Sequence, residues 1–122
     1  MEKVFTEKAP AAVGPYSQAI ITGNLVFTSG QIAVKNGKVE GSVLEQTKIV
    51  IKNLSEVLKA AGSGLERVVK TTCYLTDIKN FDAFNAIYAD FFTSKPARTL
   101  IETTNLPKGA LVEIEAVAEL NQ

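Results

Sequence analysis

The hydrophobic period of this 122-residue chain switches four times between the two-residue repeat of a strand and the 3.6-residue repeat of a helix. A layered domain of sheet and helix satisfies such a pattern; a bundle or an all-β sandwich does not. Two short runs come first, Ala19-Ile20-Ile21-Thr22 and Leu25-Val26-Phe27-Thr28-Ser29, on either side of Gly23-Asn24. That dipeptide favours a two-residue hairpin turn needing positive φ, so an antiparallel hairpin is expected. Ahead of it, residues 9–18 hold two prolines and a glycine and read as an extended loop that delivers Tyr16 and Ser17 to the first strand.

Gly30-Gln31-Ile32-Ala33-Val34 continues extended to an Asn36-Gly37 turn. Ser42-Val43-Leu44-Glu45 then has the form of a capping box, and Val43, Leu44, Val50, Ile51, Leu54, Val57, Leu58 and Ala61 follow at helical spacing. Gly62 closes the helix at C′. Residues 68–76 are rich in β-branched side chains and predict a strand with Val69, Thr71, Cys73 and Leu75 on one face. Asn80 can cap a second helix whose apolar stripe is Phe81, Phe84, Ile87, Tyr88, Phe91 and Phe92, with the phenylalanines assigned to the core. Pro96 forbids its continuation. Two strands end the chain, over 97–104 and 110–119, separated by Asn105-Leu106-Pro107-Lys108-Gly109; in the last, Val112, Ile114, Ala116 and Ala118 face one way and Glu113 and Glu115 the other.

The order β-β-α-β-α-β-β, with room for a short N-terminal strand, predicts a two-layer α+β domain with a mixed β-sheet and both helices on one face. The length fits a single domain spanning 1–122. Two helices cover one sheet face, yet Leu25-Val26-Phe27 and Leu100-Ile101 carry apolar groups toward both. Association with identical copies is the simplest way to cover the second.

Thirteen basic and thirteen acidic residues cancel, so no net field draws a phosphate backbone or an anionic membrane. No stretch approaches the ~20 apolar residues of a membrane span, and Met1-Glu2-Lys3-Val4-Phe5 lacks a signal-peptide core, so a cytoplasmic location is expected. The single cysteine, Cys73, forms no internal disulfide. The absence of histidine removes Ser-His and Cys-His nucleophile pairs and every His-containing metal site; no metal or cofactor is expected.

Chemistry is left to a few positions. Arg98, at a strand start after Lys95-Pro96-Ala97, can grip a carboxylate through two parallel hydrogen bonds, or can be a solvated strand-end residue. Glu113 interrupts an apolar strand and can orient and deprotonate a water, or can belong to a solvated face or an interface ion pair. Burial would raise its pKa and a neighbouring Arg98 would lower it. Gly14-Pro15-Tyr16-Ser17 and Thr28-Ser29-Gly30-Gln31 set small and hydroxyl-bearing residues where loops meet strands, which suits a small polar ligand as well as ordinary turns. Asn85 is a candidate polar contact, Cys73 a buried small residue, and Ser63-Gly64 a plain loop.

Taken in order, Ala9-Pro10-Ala11-Ala12-Val13-Gly14-Pro15-Tyr16-Ser17-Gln18, Thr28-Ser29-Gly30-Gln31, Val69-Lys70-Thr71-Thr72, Asn85-Ala86-Ile87-Tyr88, Pro96-Ala97-Arg98-Thr99 and Leu106-Pro107-Lys108 with Val112-Glu113-Ile114-Glu115-Ala116 resemble the RidA (reactive intermediate deaminase) family over nearly the whole chain. The resemblance implies a chorismate-mutase-like fold assembled as a homotrimer, sheets inward, with sites in clefts between subunits. It implies hydrolysis of 2-aminoacrylate and 2-aminocrotonate, through their imine tautomers, to 2-oxo acids and ammonium, which protects pyridoxal-phosphate enzymes. By matching position, Arg98 would bind the substrate carboxylate, Glu113 would hold the attacking water, and Tyr16, Ser29 and Gly30 would shape the pocket. Many members of the family place Cys two residues after the arginine; Leu100 stands there, which leaves a backbone contact and no thiol chemistry. Branches without the arginine are not known deaminases, so Arg98 keeps this chain on the enzymatic side. The competing expectations are a regulatory module that binds a small carboxylate without turnover, and an RNA-directed role, which zero net charge and the lack of histidine oppose.

Overall fold

Every backbone amide of a strand needs a partner, and the pairing found here arranges six strands into one sheet. The computed structural model describes residues 1–121. In chain order the strands are β1 (Glu2–Val4), β2 (Ala19–Thr22), β3 (Leu25–Thr28), β4 (Val34–Lys35), β5 (Lys38–Val39), β6 (Val68–Leu75), β7 (Ala97–Glu102) and β8 (Val112–Glu119), with helices α1 (Val43–Ala60) and α2 (Phe81–Phe91). The main sheet runs β1-β2-β3-β8-β6-β7. All its pairs are antiparallel except β6 with β7, where α2 provides the crossover that a parallel pair demands. The expected α+β architecture, two helices packed on a mixed sheet, is the observed one.

The turns follow from backbone freedom. Thr22 pairs with Leu25 across Gly23-Asn24, and only Gly23 takes a positive φ, 58°, as the first central residue of a type II′ turn does. At Asn36-Gly37 both residues are left-handed, φ 54° and 75°, the type I′ pattern. That turn closes β4 on β5 as a separate two-stranded sheet; β5 lies beyond the strands the sequence pattern predicts.

Helix α1 begins with the capping box: the Glu45 amide donates to Ser42 Oγ (3.2 Å) and the Ser42 amide to Glu45 Oε1 (3.0 Å). Ala61 ends it and Gly62 follows at φ 83°. Val50, Ile51, Leu54, Val57 and Leu58 meet Val26, Ile114, Cys73 and Leu75 of the sheet in one core, while Leu44 in the first turn stays exposed.

Three side-chain expectations are corrected. Asn80 makes no cap bond; a 3-10 turn over Ile78–Asn80 precedes α2, and Asp77 caps that turn by accepting from the Lys79 amide (2.9 Å). Phe84, Tyr88 and Phe92, four residues apart, are buried, but Phe81 and Phe91 lie at the margins of the stripe and are exposed. Val69 is exposed and Val68 buried instead, because the β6 register shifts between Val68 and Lys70 and turns Val69 out of the alternation. The final strands are also shorter than expected, Ala97–Glu102 and Val112–Glu119, and a 3-10 turn over Pro107–Gly109 lies within the expected turn between them.

The N-terminal loop is fastened by one buried side chain. Gln18 Oε1 accepts from the Thr6 amide (2.7 Å), and its Nε2 donates to the carbonyls of Thr6 (3.1 Å) and Pro10 (2.8 Å). Replacing Gln18 with Ala leaves these three part-buried backbone groups without their partner. The expected cost is about 2–3 kcal/mol, read by urea denaturation at fixed protein concentration, with earlier proteolysis of the first 18 residues.

Candidate active site

The pairing of β3 with β8 breaks where the site begins. Phe27 pairs with Val117, and the next pair is Gln31 with Ile114, so four steps on one strand match three on the other. One extra residue must leave the ladder, as in a β-bulge. Thr28 Oγ1 takes the Ala116 amide (3.0 Å) in place of a backbone carbonyl, and Ser29 is drawn toward the loop, its amide on Gln18 O (2.9 Å) and its hydroxyl on Ser17 O (2.5 Å). Gly30 is left against the side chain of Glu113; a Cβ there would stand 2.8 Å from Glu113 Cδ. The constraint at Gly30 is one of space, since its φ is not left-handed: a Cβ there would displace the Glu113 carboxyl from its present position.

Gly30 and Tyr16 line one cleft of about 640 Å³, with Pro107 and Lys108 on its rim. Tyr16 Oη accepts from the Val13 amide (3.3 Å), which steadies a ring that is 53% exposed. The half-buried Glu113 carboxyl is pushed above its ordinary value by desolvation first and by the Glu115 carboxylate second. Glu115 itself accepts from Tyr74 Oη (2.9 Å).

Arg98 is built differently. Its Nη1 donates to Asn85 Oδ1 (2.7 Å), and its Cζ lies 4.8 Å from the Tyr88 ring centroid and 5.7 Å from that of Phe81. It makes no ion pair with any described residue of its own chain. A half-buried guanidinium is thus held by a neutral amide and two aromatic faces, with charge and donors to spare. A hollow of about 290 Å³ opens beside it, lined by Asn85, Tyr88, Phe92 and Pro96. Leu100, on the same side of β7, is half-buried against the core opposite Cys73, whose thiol burial pushes up to about 11.

The expected residues therefore fall into two groups. Arg98 pairs with Thr71, and Thr71 with Ala116, so Arg98 points to the helix-covered face. Glu113, three residues from Ala116, points to the other. Tyr16, Ser29, Gly30 and Glu113 gather on one side, Asn85, Arg98 and Leu100 on the other, and a single chain does not bring Arg98 to Glu113. The described residues contain no group of three or more His, Cys, Asp or Glu placed to hold a metal ion.

Residues 6–120 match the family described as endoribonuclease L-PSP. The chain belongs to that family, the RidA family. Reactive Intermediate Deaminase A of Arabidopsis thaliana chloroplasts is 50% identical over 123 residues, covering 98% of this chain and 66% of the relative. The RidA-family protein named 2-iminobutanoate/2-iminopropanoate deaminase in Homo sapiens is 47% identical over 119 residues, covering 94% and 87%. Among solved structures, E. coli TdcF with bound serine superimposes with a TM-score of 0.94 at 34% identity, covering 99% of this chain and all of that one.

Sequence reasoning placed Glu115 beside Glu113 but missed the other groups that surround the candidate residues: Tyr88, Thr71 and Phe81 beneath Arg98, and Tyr74, whose hydroxyl holds Glu115. The first set had a signal, because Tyr88 lies three residues after Asn85 and shares its helix face. The second required the register of β6 on β8. An aspartate at 85 would neutralise Arg98 directly. Asn85→Asp is expected to pair the new carboxyl with Arg98 and to hold it below the usual aspartate range, as read by NMR titration, with the fold retained by circular dichroism.

Proposed function

We propose that this protein hydrolyses small 2-imino acids, the tautomers of 2-aminoacrylate and 2-aminocrotonate, to 2-oxo acids and ammonium without metal or cofactor. Relatives named as imine and reactive-intermediate deaminases support that class of reaction. The observation that carries the reading is the unneutralised Arg98, a guanidinium fixed by Asn85 and Tyr88 with donors free for a carboxylate. Leu100 would add a backbone contact, and Tyr16, Ser29 and Gly30 would close the pocket over the imine carbon.

Glu113 suits the water. An ionised Glu113 takes a proton from water as the oxygen attacks C2 of the protonated imine, forming a carbinolamine. The same proton then goes to the nitrogen, the C–N bond breaks with its electron pair leaving on ammonia, and the C2 hydroxyl becomes the carbonyl of the 2-oxo acid as its proton passes to that ammonia, giving ammonium and an ionised Glu113. A protonated imine beside a carboxylate is already electrophilic, so positioning and charge complementarity supply most of what is needed.

Because Arg98 and Glu113 face opposite sides of one sheet, the reading requires a neighbouring copy. We place the site between subunits of a homotrimer, with Arg98, Asn85 and Leu100 from one chain and Tyr16, Ser29, Gly30 and Glu113 from the next. Phe27 and Ile101, both more than two-fifths exposed on the face away from the helices, support a covering partner. No helix among the described residues is long and apolar enough to cross a membrane; we assign the activity to the cytoplasm, beside the dehydratases that release such imines.

A binding module without turnover is the alternative, favoured by the serine in TdcF. An RNA-directed role, suggested by the family's description, finds neither a net positive charge nor a histidine to support it. The deciding experiment generates 2-aminoacrylate in situ and follows pyruvate and ammonium. Wild type should accelerate both, and Arg98→Ala should abolish the effect while the assembly persists; an inert wild type that still binds pyruvate would establish the module instead.

The pH profile adds a second test. The reaction needs Glu113 ionised; desolvation and Glu115 raise its pKa and a neighbouring copy's Arg98 opposes the rise, so activity should fall as pH drops through the Glu113 limb. Glu115→Gln removes the smaller of the two causes and should move that limb to lower pH; an unmoved limb would separate Glu113 from it.

A further inference from the structure

Tyr88 does more in this structure than fill the core. Its ring lies 4.8 Å from Arg98 Cζ, and its hydroxyl shares a 2.7 Å hydrogen bond with Thr71 Oγ1, on a threonine with no exposed surface. Thr71 is also the residue that faces Arg98 across the parallel β6–β7 pair. One strand contact therefore sets both the base of the guanidinium and the azimuth of the ring beneath it. From the other side the ring is braced within α2, its centroid 4.3 Å from Phe92 and 5.6 Å from Phe84. A tyrosine serving packing alone would do as well with its hydroxyl in water; here the hydroxyl is buried and its single partner is the register-mate of Arg98.

We propose that Tyr88, locked by Thr71, is the positioning residue that aims Arg98 at the substrate carboxylate, so that it sets affinity for the anion and not the rate of imine hydrolysis. This rests on the reading of Arg98 as the carboxylate anchor. A guanidinium has several rotamers and a large conformational entropy; a flat electron-rich face under it removes most of them before the anion arrives. Asn85 occupies one edge, the ring occupies one face, and the remaining donors keep a fixed direction. Tyr88 touches no reacting atom.

The chain has two arginines, Arg67 and Arg98, so its arginine side-chain Nε–Hε spectrum contains two signals, assigned with Arg67→Lys and Arg98→Lys. The full-length protein and the variants Tyr88→Phe, Tyr88→Leu and Thr71→Val are compared by that spectrum, by titration with pyruvate and with its uncharged amide, and by KM and kcat on 2-aminoacrylate made in situ. In the wild type the Arg98 signal should be ring-shifted and respond to pyruvate. Tyr88→Leu should move it toward the position of free arginine and weaken pyruvate binding and KM about fivefold or more, with kcat and binding of the amide nearly unchanged. Tyr88→Phe keeps the ring and should recover most of the affinity.

If Tyr88→Leu fails to fold, Thr71→Val decides: it keeps ring and volume, and should shift the Arg98 signal with a smaller rise in KM. An Arg98 signal that stays put in Thr71→Val, or variants in which KM, kcat and amide binding decline together, would reduce Tyr88 to packing and overturn the proposal. A wild-type Arg98 signal blind to pyruvate would remove the anchor and this proposal with it. Pyruvate binding intact but no imine turnover would strike the hydrolysis reading alone and leave the positioning role standing.

Discussion

The two-residue alternation of the central strands is the constraint on which everything else here depends. Thr71 on β6, Ala116 on β8 and Arg98 on β7 share one face through their cross-strand pairing, and Glu113 is an odd number of residues from Ala116. No rotamer changes that parity, because a side chain's face is set by the backbone pleat. A register slip of one residue would exchange the faces, but it would also drive Ile114 and Val112, both fully buried, into water. The hydrophobic core thus enforces the separation of the two charged groups, and chemistry using both needs a group from a second chain.

Each charge is kept available by a different device. The groups that touch Arg98, the Asn85 amide and the Tyr88 and Phe81 rings, are neutral, so its charge is spent on no described partner in the chain. Around Glu113 the bulge at Ser29-Gly30 brings backbone where a side chain would otherwise stand, and the carboxyl is partly desolvated beside Glu115. Burial that disfavours the charged form of an acid costs stability, and an acid perturbed in this way beside a cleft is a candidate base or partner for a cation. The bulge costs little in hydrogen bonding, since the Thr28 hydroxyl replaces the missing carbonyl for the Ala116 amide.

Much of this was legible in the amino-acid pattern. The capping box at Ser42, the stop at Gly62, the Gly23-Asn24 turn and the inward face of β8 all follow from local rules, and the structure keeps each of them. Departures occur where a long-range pairing overrides a local preference. Val69 leaves the face its alternation suggests because of a bulge against β8, and Asp77 displaces Asn80 as the helix-end acceptor because a 3-10 turn is inserted first. The candidate residues themselves were readable one by one, from chemistry and family resemblance. Their division into two half-sites was not, because it depends on which strand lies between β7 and β3, and two strands do, β8 and β6. Nor could local pattern reveal that Tyr88 serves Arg98, since Thr71 reaches both only through the parallel register.

The half-sites also bear on what kind of assembly the proposed reaction demands. Arg98 lies on the β7 edge strand toward the helices, whereas Glu113 lies mid-sheet on the opposite face, so the two surfaces that must meet are different parts of the molecule. A contact joining unlike surfaces continues from copy to copy until it closes, and in a closed ring every copy gives its arginine to one neighbour and its glutamate to the other. Each ring then holds as many complete sites as chains, with no charge left unmatched. The exposed apolar groups Phe27 and Ile101, on the same outward face as Glu113, would be covered by the contact that completes the site. Burial of that face and completion of the chemistry are, on this account, a single event: a free monomer would expose its sheet and lack half of its machinery for the same geometric reason.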